Sequence, residues 1–88
     1  MKDPREMSEY ECRAEVRDRA GRVFGSGLDG ANAAIDGADG GWDWTRTPTF
    51  FRAENNAGDV HDIYCPQTYS ASEELWRLAL IVWRSVTK

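Results

Sequence analysis

The segment from Ser70 to Val86 constrains this chain more than any other. Ser70 followed three residues later by Glu73 has the form of a capping box, and it predicts a helix over about Ala71 to Val86. On a helical wheel Arg77 and Arg84 share one stripe, with Glu73 one turn before Arg77. Leu75, Trp76, Leu78, Ala79, Leu80, Ile81, Val82, Trp83 and Val86 cover more than half of the remaining circumference. A helix resting on one sheet face needs a narrower stripe. Such a helix in a chain of 88 residues is either enclosed by the fold or leaves a flank for a partner. The length fits one domain, residues 1–88.

The sequence ahead of this helix reads as a small antiparallel sheet. Tyr10, Cys12, Ala14 and Val16 alternate with Glu9, Glu11, Arg13, Glu15 and Arg17, a period of two that predicts a strand over 9–17. Asp18-Arg19-Ala20-Gly21 reads as a turn into a short strand over 22–25. Thr47 to Glu54 and Val60 to Cys65 flank the turn signal Asn55-Asn56-Ala57-Gly58, so strands near 48–54 and 59–65 should form a hairpin. An alanine-rich helix near 29–37 and a short helical start at Asp3-Pro4-Arg5-Glu6 complete the reading. The fold class is therefore α+β: about four antiparallel strands, a long C-terminal helix packed on them, and a second short helix. The expected core is Tyr10, Cys12, Ala14, Val16, Phe24, Ile63, Leu75, Leu78, Ala79, Val82 and Trp83.

Charge is unevenly distributed. The net charge is −4, yet residues 29–62 carry seven acids against Arg46 and Arg52. A field of this sign repels nucleic acid and anionic membrane and attracts basic surfaces. The start of the chain is charged and shows no apolar signal segment, and the stretch from Leu75 to Trp83 is far shorter than a membrane span. Two cysteines, Cys12 and Cys65, make no disulfide framework, and the reading is a cytoplasmic protein with reduced thiols.

Three groups of residues have the form of chemical motifs. Gly25-Ser26-Gly27-Leu28-Asp29-Gly30 matches G-x-G-x-x-G, but Asp29 would repel a phosphate and the chain is too short for a dinucleotide fold. His61 and Cys65 lie four apart on a predicted strand, and with Cys12 they would offer three zinc ligands. No CxxC-type knuckle supports a metal, and buried cysteine is the commoner role. The Asp/Gly loop from Asp29 to Asp43 lacks the alternate oxygens of a calcium loop. No cofactor or metal is expected. Strand, turn, strand, Gly-x-Gly and alanine-rich helix, in that order, resemble the end of a double-stranded-RNA-binding domain over less than a third of the chain. That family places lysines where this chain has Leu28-Asp29-Gly30-Ala31-Asn32, so the resemblance brings no RNA-binding residue with it.

The functional expectation is a non-catalytic protein-binding module, an inhibitor that engages a basic, nucleic-acid-binding surface. Asp36, Asp39, Asp43, Asp59 and Asp62 would stand in for phosphates, with Trp42 and Trp44 as exposed aromatic contacts. In size and charge such a module is similar to phage-encoded anti-defence proteins, including anti-CRISPR and anti-restriction proteins. Neither nucleic acid nor membrane is an expected direct partner. One alternative is a structural subunit or homodimer assembled through the apolar C-terminal helix. Another is a small enzyme or ligand binder using His61 and Cys65 or the glycine loop at 25–30.

Overall fold

The chain places its long C-terminal helix at the centre and wraps everything else around it. A computed structural model describes residues 1–87. A single 3-10 turn at Pro4–Glu6 is followed by α1 (Glu9–Ala20), α2 (Gly27–Asp36), β1 (Asp43–Arg46), β2 (Phe50–Glu54), β3 (Val60–Tyr64) and α3 (Ala71–Val86). The three strands form an antiparallel meander in the order β1-β2-β3. α1 and α2 pack on α3, and α3 packs on β2 and β3.

The α+β class and the packing of the C-terminal helix on the sheet agree with the sequence reading. The count of about four strands does not. Residues 9–17 belong to helix α1, and residues 22–25 form no strand. Two forces favour the helix. Ser8 and Glu11 form a reciprocal capping box: the Ser8 hydroxyl accepts from the Glu11 amide at 3.1 Å, and the Glu11 carboxylate accepts from the Ser8 amide at 3.0 Å. Three Glu, three Arg and two Ala make eight strong helix formers among its 12 residues. Cys12 and Val16 are buried, and their spacing of four satisfies both periods. Tyr10, expected in the core, is 76% exposed, and Ala14 is only half-buried. Asp18 to Gly21 is accordingly no hairpin turn. Gly21 closes α1 in the left-handed conformation at φ 73°, its amide donating to the Arg17 carbonyl.

α3 runs over the predicted residues, and the Ser70 hydroxyl accepts from the Glu73 amide. Its width is explained by three neighbours. Leu75, Trp76, Leu78, Ala79, Leu80, Val82 and Trp83 are all buried, and Ile81 is half-buried. The flank that could have waited for a partner is filled by α1, α2 and the sheet. Each buried indole also finds an acceptor: Trp76 Nε1 donates to the Gly27 carbonyl at 3.0 Å, and Trp83 Nε1 donates to the Ala34 carbonyl at 2.8 Å. Phe24, half-buried in the α1–α2 connection, leans on Trp83 with ring centroids 5.8 Å apart.

The glycine motif belongs to this packing. Gly30, in the first turns of α2, lies so close to the preceding loop that a Cβ there would sit 2.6 Å from the Gly25 carbonyl carbon and 3.0 Å from the Trp76 ring. Alanine is the better helix former by about 1 kcal/mol, but two of the three contacts are backbone and cannot yield. Gly30→Ala is expected to destabilise the protein by about 2 kcal/mol. A thermal-unfolding midpoint unchanged or raised in this variant would contradict the close approach.

Candidate binding face

One face of the sheet lies on α3 and the other is open. On β2, Phe51 and Ala53 point inward while Phe50, Arg52 and Glu54 point out. The register sets three rows across the outer face. Phe50 pairs with Tyr64. Thr45, Arg52 and Asp62 form the middle row, and Asp43, Glu54 and Val60 the third. Rows two residues apart are separated by about 7 Å, so the first and third lie about 14 Å apart.

The first row is aromatic. Phe50 and Tyr64 meet edge to face at 5.8 Å, and Tyr64 meets Tyr69 in the same way at 5.8 Å. The three rings are 41%, 51% and 49% exposed. The middle row is neutralised. Arg52 Nε donates to Asp62 Oδ1 at 2.8 Å and Nη2 donates to Oδ2 at 3.1 Å. The hydrogen bonds from Arg52 hold the Asp62 carboxyl below its ordinary value.

The third row is acidic. Asp43 and Glu54 stand directly opposite each other in the β1–β2 register, an arrangement that costs stability by like-charge repulsion. The loop before β1 is tied to the hairpin turn, because the Asn56 amide donates to the Gly40 carbonyl at 3.0 Å. This tie brings the Asp39 loop alongside Asp59, whose carboxylate accepts from Asn55 Nδ2 at 2.8 Å. Asp39, Asp43, Glu54 and Asp59 make no ion pair among the described residues. A shallow hollow of about 300 Å³ opens here, lined by Gly41, Asp43, Thr45, Arg52, Glu54, Asn55 and Asn56.

The structure therefore sets Asp43 opposite Glu54 at one end of the sheet, with Asp39 in the loop before β1 and Asp59 in the β2–β3 turn, where Asp59 lines a separate hollow with Trp42, His61 and Val86. Asp62 lies on the same face but is committed to Arg52, and Asp36 is exposed at the end of α2. The two tryptophans expected as contacts have other roles. Trp42 is 2% exposed, donates to the Asp39 carbonyl at 3.0 Å and stacks on His61 at 5.6 Å. Trp44 is half-buried, packs edge-on against Phe51 at 5.4 Å, and donates to Asn32 Oδ1 at 2.6 Å. The exposed aromatics of this face are Phe50, Tyr64 and Tyr69. For Phe50 and Tyr64, strand alternation carries the signal, since each lies next to an inward residue, Phe51 or Ile63.

His61 and Cys65 do not form a reactive pair. His61 rests against Trp42, and Cys65 is buried. Burial pushes the Cys65 thiol up and the Cys12 thiol up to about 12, so both are protonated at neutral pH. Among the described residues no three His, Cys, Asp or Glu side chains are grouped to hold a metal ion, and no helix is long and apolar enough to cross a membrane. No protein-family model, curated protein or solved structure matches the chain.

Proposed function

We propose that this protein is a binding module that lays the open face of its sheet on a basic protein surface and acts there by occupancy. The observation that carries the reading is the Asp43–Glu54 pair. Two carboxylates directly opposite each other cost the free protein a few tenths to about 1 kcal/mol. A lysine or arginine side chain of a partner, seated in the adjoining hollow, would convert that cost into two charge-assisted contacts. Phe50, Tyr64 and Tyr69, about 14 Å away along the strands, supply the apolar anchor that such a contact needs. The target is a surface that otherwise binds nucleic acid, because carboxylates spaced along a strand edge offer it the same sign of charge. On this reading the module is an inhibitor that competes with nucleic acid, similar in size and charge to phage-encoded anti-defence proteins.

Glu54→Lys separates this function from the fold. It replaces a like-charge pair with an opposite-charge pair, so the variant is expected to be as stable as the parent or more stable by up to about 1 kcal/mol. Its binding to a basic partner, captured from nuclease-treated lysate at low salt and then purified, is expected to fall at least about tenfold by calorimetry. Retention of that partner by Glu54→Lys, or binding insensitive to salt, would refute the reading.

A further inference from the structure

A second site lies between α1, the α1–α2 connection and α3, and it has the opposite charge. Tyr10, Ala14, Val23, Phe24 and Trp76 wall an open pocket of about 100 Å³, and the guanidinium-bearing residues Arg13, Arg17 and Arg22 complete its lining. Six of the nine arginines hold a carboxylate, and the exceptions are Arg13, Arg22 and Arg46. All three lie over aromatic rings, Arg13 on Trp76 at 5.9 Å, Arg22 on Phe24 at 4.5 Å and Arg46 on Phe51 at 5.2 Å. Arg13 differs from the other two in one respect: its Nε is buried with no acceptor among the described residues. A buried charged donor without an acceptor is unfavourable, and an anion reaching it relieves that. Two large apolar side chains stand exposed at the rim, Tyr10 and Val23. In a protein of net charge −4, Arg13 and Arg22 bring two guanidiniums without an acidic partner among the described residues to apolar walls.

We infer that this pocket binds an organic carboxylate with a ring-sized apolar body. At about 100 Å³ the pocket is smaller than the apolar cavity of about 150 Å³ that encloses benzene, but it is open, so one ring or branched aliphatic group seats in it with an edge left outside. The guanidinium fork matches the two oxygens of a carboxylate. A singly charged group loses less hydration against these walls than a phosphate does. The chemistry is shared by a free aromatic acid and by the C-terminal residue of a peptide.

The test is a titration of the folded protein followed by NMR at the arginine Nε–Hε resonances, with phenylacetate and N-acetylglycylphenylalanine as probes. Saturable one-to-one binding that moves the Arg13 resonance is expected, and the tighter probe identifies the source. Phenylacetamide, equal in shape but neutral, should bind about tenfold more weakly or worse. Arg22→Met, at an exposed position of the α1–α2 connection, and Val23→Glu, which brings a carboxylate to the rim, should each weaken phenylacetate about tenfold while the protein stays folded. Glu54→Lys should leave this binding unchanged, because the pocket shares no residue with the acidic end of the sheet. Equal binding of the amide, an equal response to inorganic phosphate, no saturable shift, or unchanged affinity in both pocket variants would overturn the inference.

Discussion

Replacing Trp76 with alanine is expected to destabilise the protein by about 3–5 kcal/mol. A chain of this length has a total stability of about 4–13 kcal/mol, so the variant should be close to its unfolding threshold. The indole is 1% exposed and lies where three parts of the fold meet. Its Nε1 satisfies the Gly27 carbonyl, its ring fills the space that the missing Cβ of Gly30 leaves open, and Arg13 lies over it. Truncation leaves a cavity and removes the hydrogen bond to the Gly27 carbonyl in one step. Urea unfolding measures the effect, with Tyr10→Ala as the comparison. Tyr10 is largely exposed on α1, and its loss should change stability by no more than about 0.5 kcal/mol. If the two variants unfolded at similar midpoints, the placement of α1 against α3 would be wrong.

The second large effect is electrostatic. Glu15 on α1 accepts from Arg84 Nε at 2.6 Å and Nη2 at 2.7 Å, and from Arg19 Nε at 2.8 Å. Arg84 lies on α3 and also donates to the Lys2 carbonyl at 2.6 Å. One carboxylate thus ties the first helix and the N-terminal segment to the last helix. The hydrogen bonds from Arg84, the largest cause, and those from Arg19 hold the Glu15 carboxyl down to about 2, against an ordinary value of 4.5. At about 1.4 kcal/mol per pH unit, the depression corresponds to roughly 3 kcal/mol. Because the folded value is the lower one, that stability is fully present above about pH 4.5. It is lost as pH falls through about 2. Glu15→Gln should therefore cost roughly 3 kcal/mol at pH 7 and almost nothing at pH 2. Denaturant curves of parent and variant at the two pH values check this, and a constant difference would show that Glu15 contributes packing alone.

The two proposed binding surfaces carry opposite charge and use the same residue types in different ways. Among the described residues of the sheet, Asp62 is the carboxylate that forms an ion pair with an arginine. In the pocket the arginines lean on rings in place of acids. Elsewhere the ion pair of Glu15 with Arg84 joins α1 to α3, and those of Arg77 with Glu73 and Glu74 lie within the first turns of α3. Net charge alone conceals this separation.

Local physics made several elements legible in the sequence. α3 begins where Ser70 can accept from the Glu73 amide and ends with its apolar run, and both limits follow from bonds within one segment. The β2–β3 hairpin follows from the Asn55-Asn56-Ala57-Gly58 turn between two β-rich stretches, and its register fixes which side chains face out. The acidic excess of the middle third is likewise a property of the sequence. Tertiary structure decided the rest. Residues 9–17 satisfy a period of two and a period of four equally at Cys12 and Val16; the Ser8–Glu11 capping box and the helix-forming composition favour the helix, and the flank of α3 supplies the surface that buries those two residues. Which aromatics lie exposed depends on what covers each sheet face, so Trp42 is buried while Phe50 and Tyr64 face outward. The docking of the loop before β1 on the β2–β3 turn depends on one long-range hydrogen bond between the Asn56 amide and the Gly40 carbonyl. Contacts of that kind join segments far apart in the chain, and no local pattern encodes them.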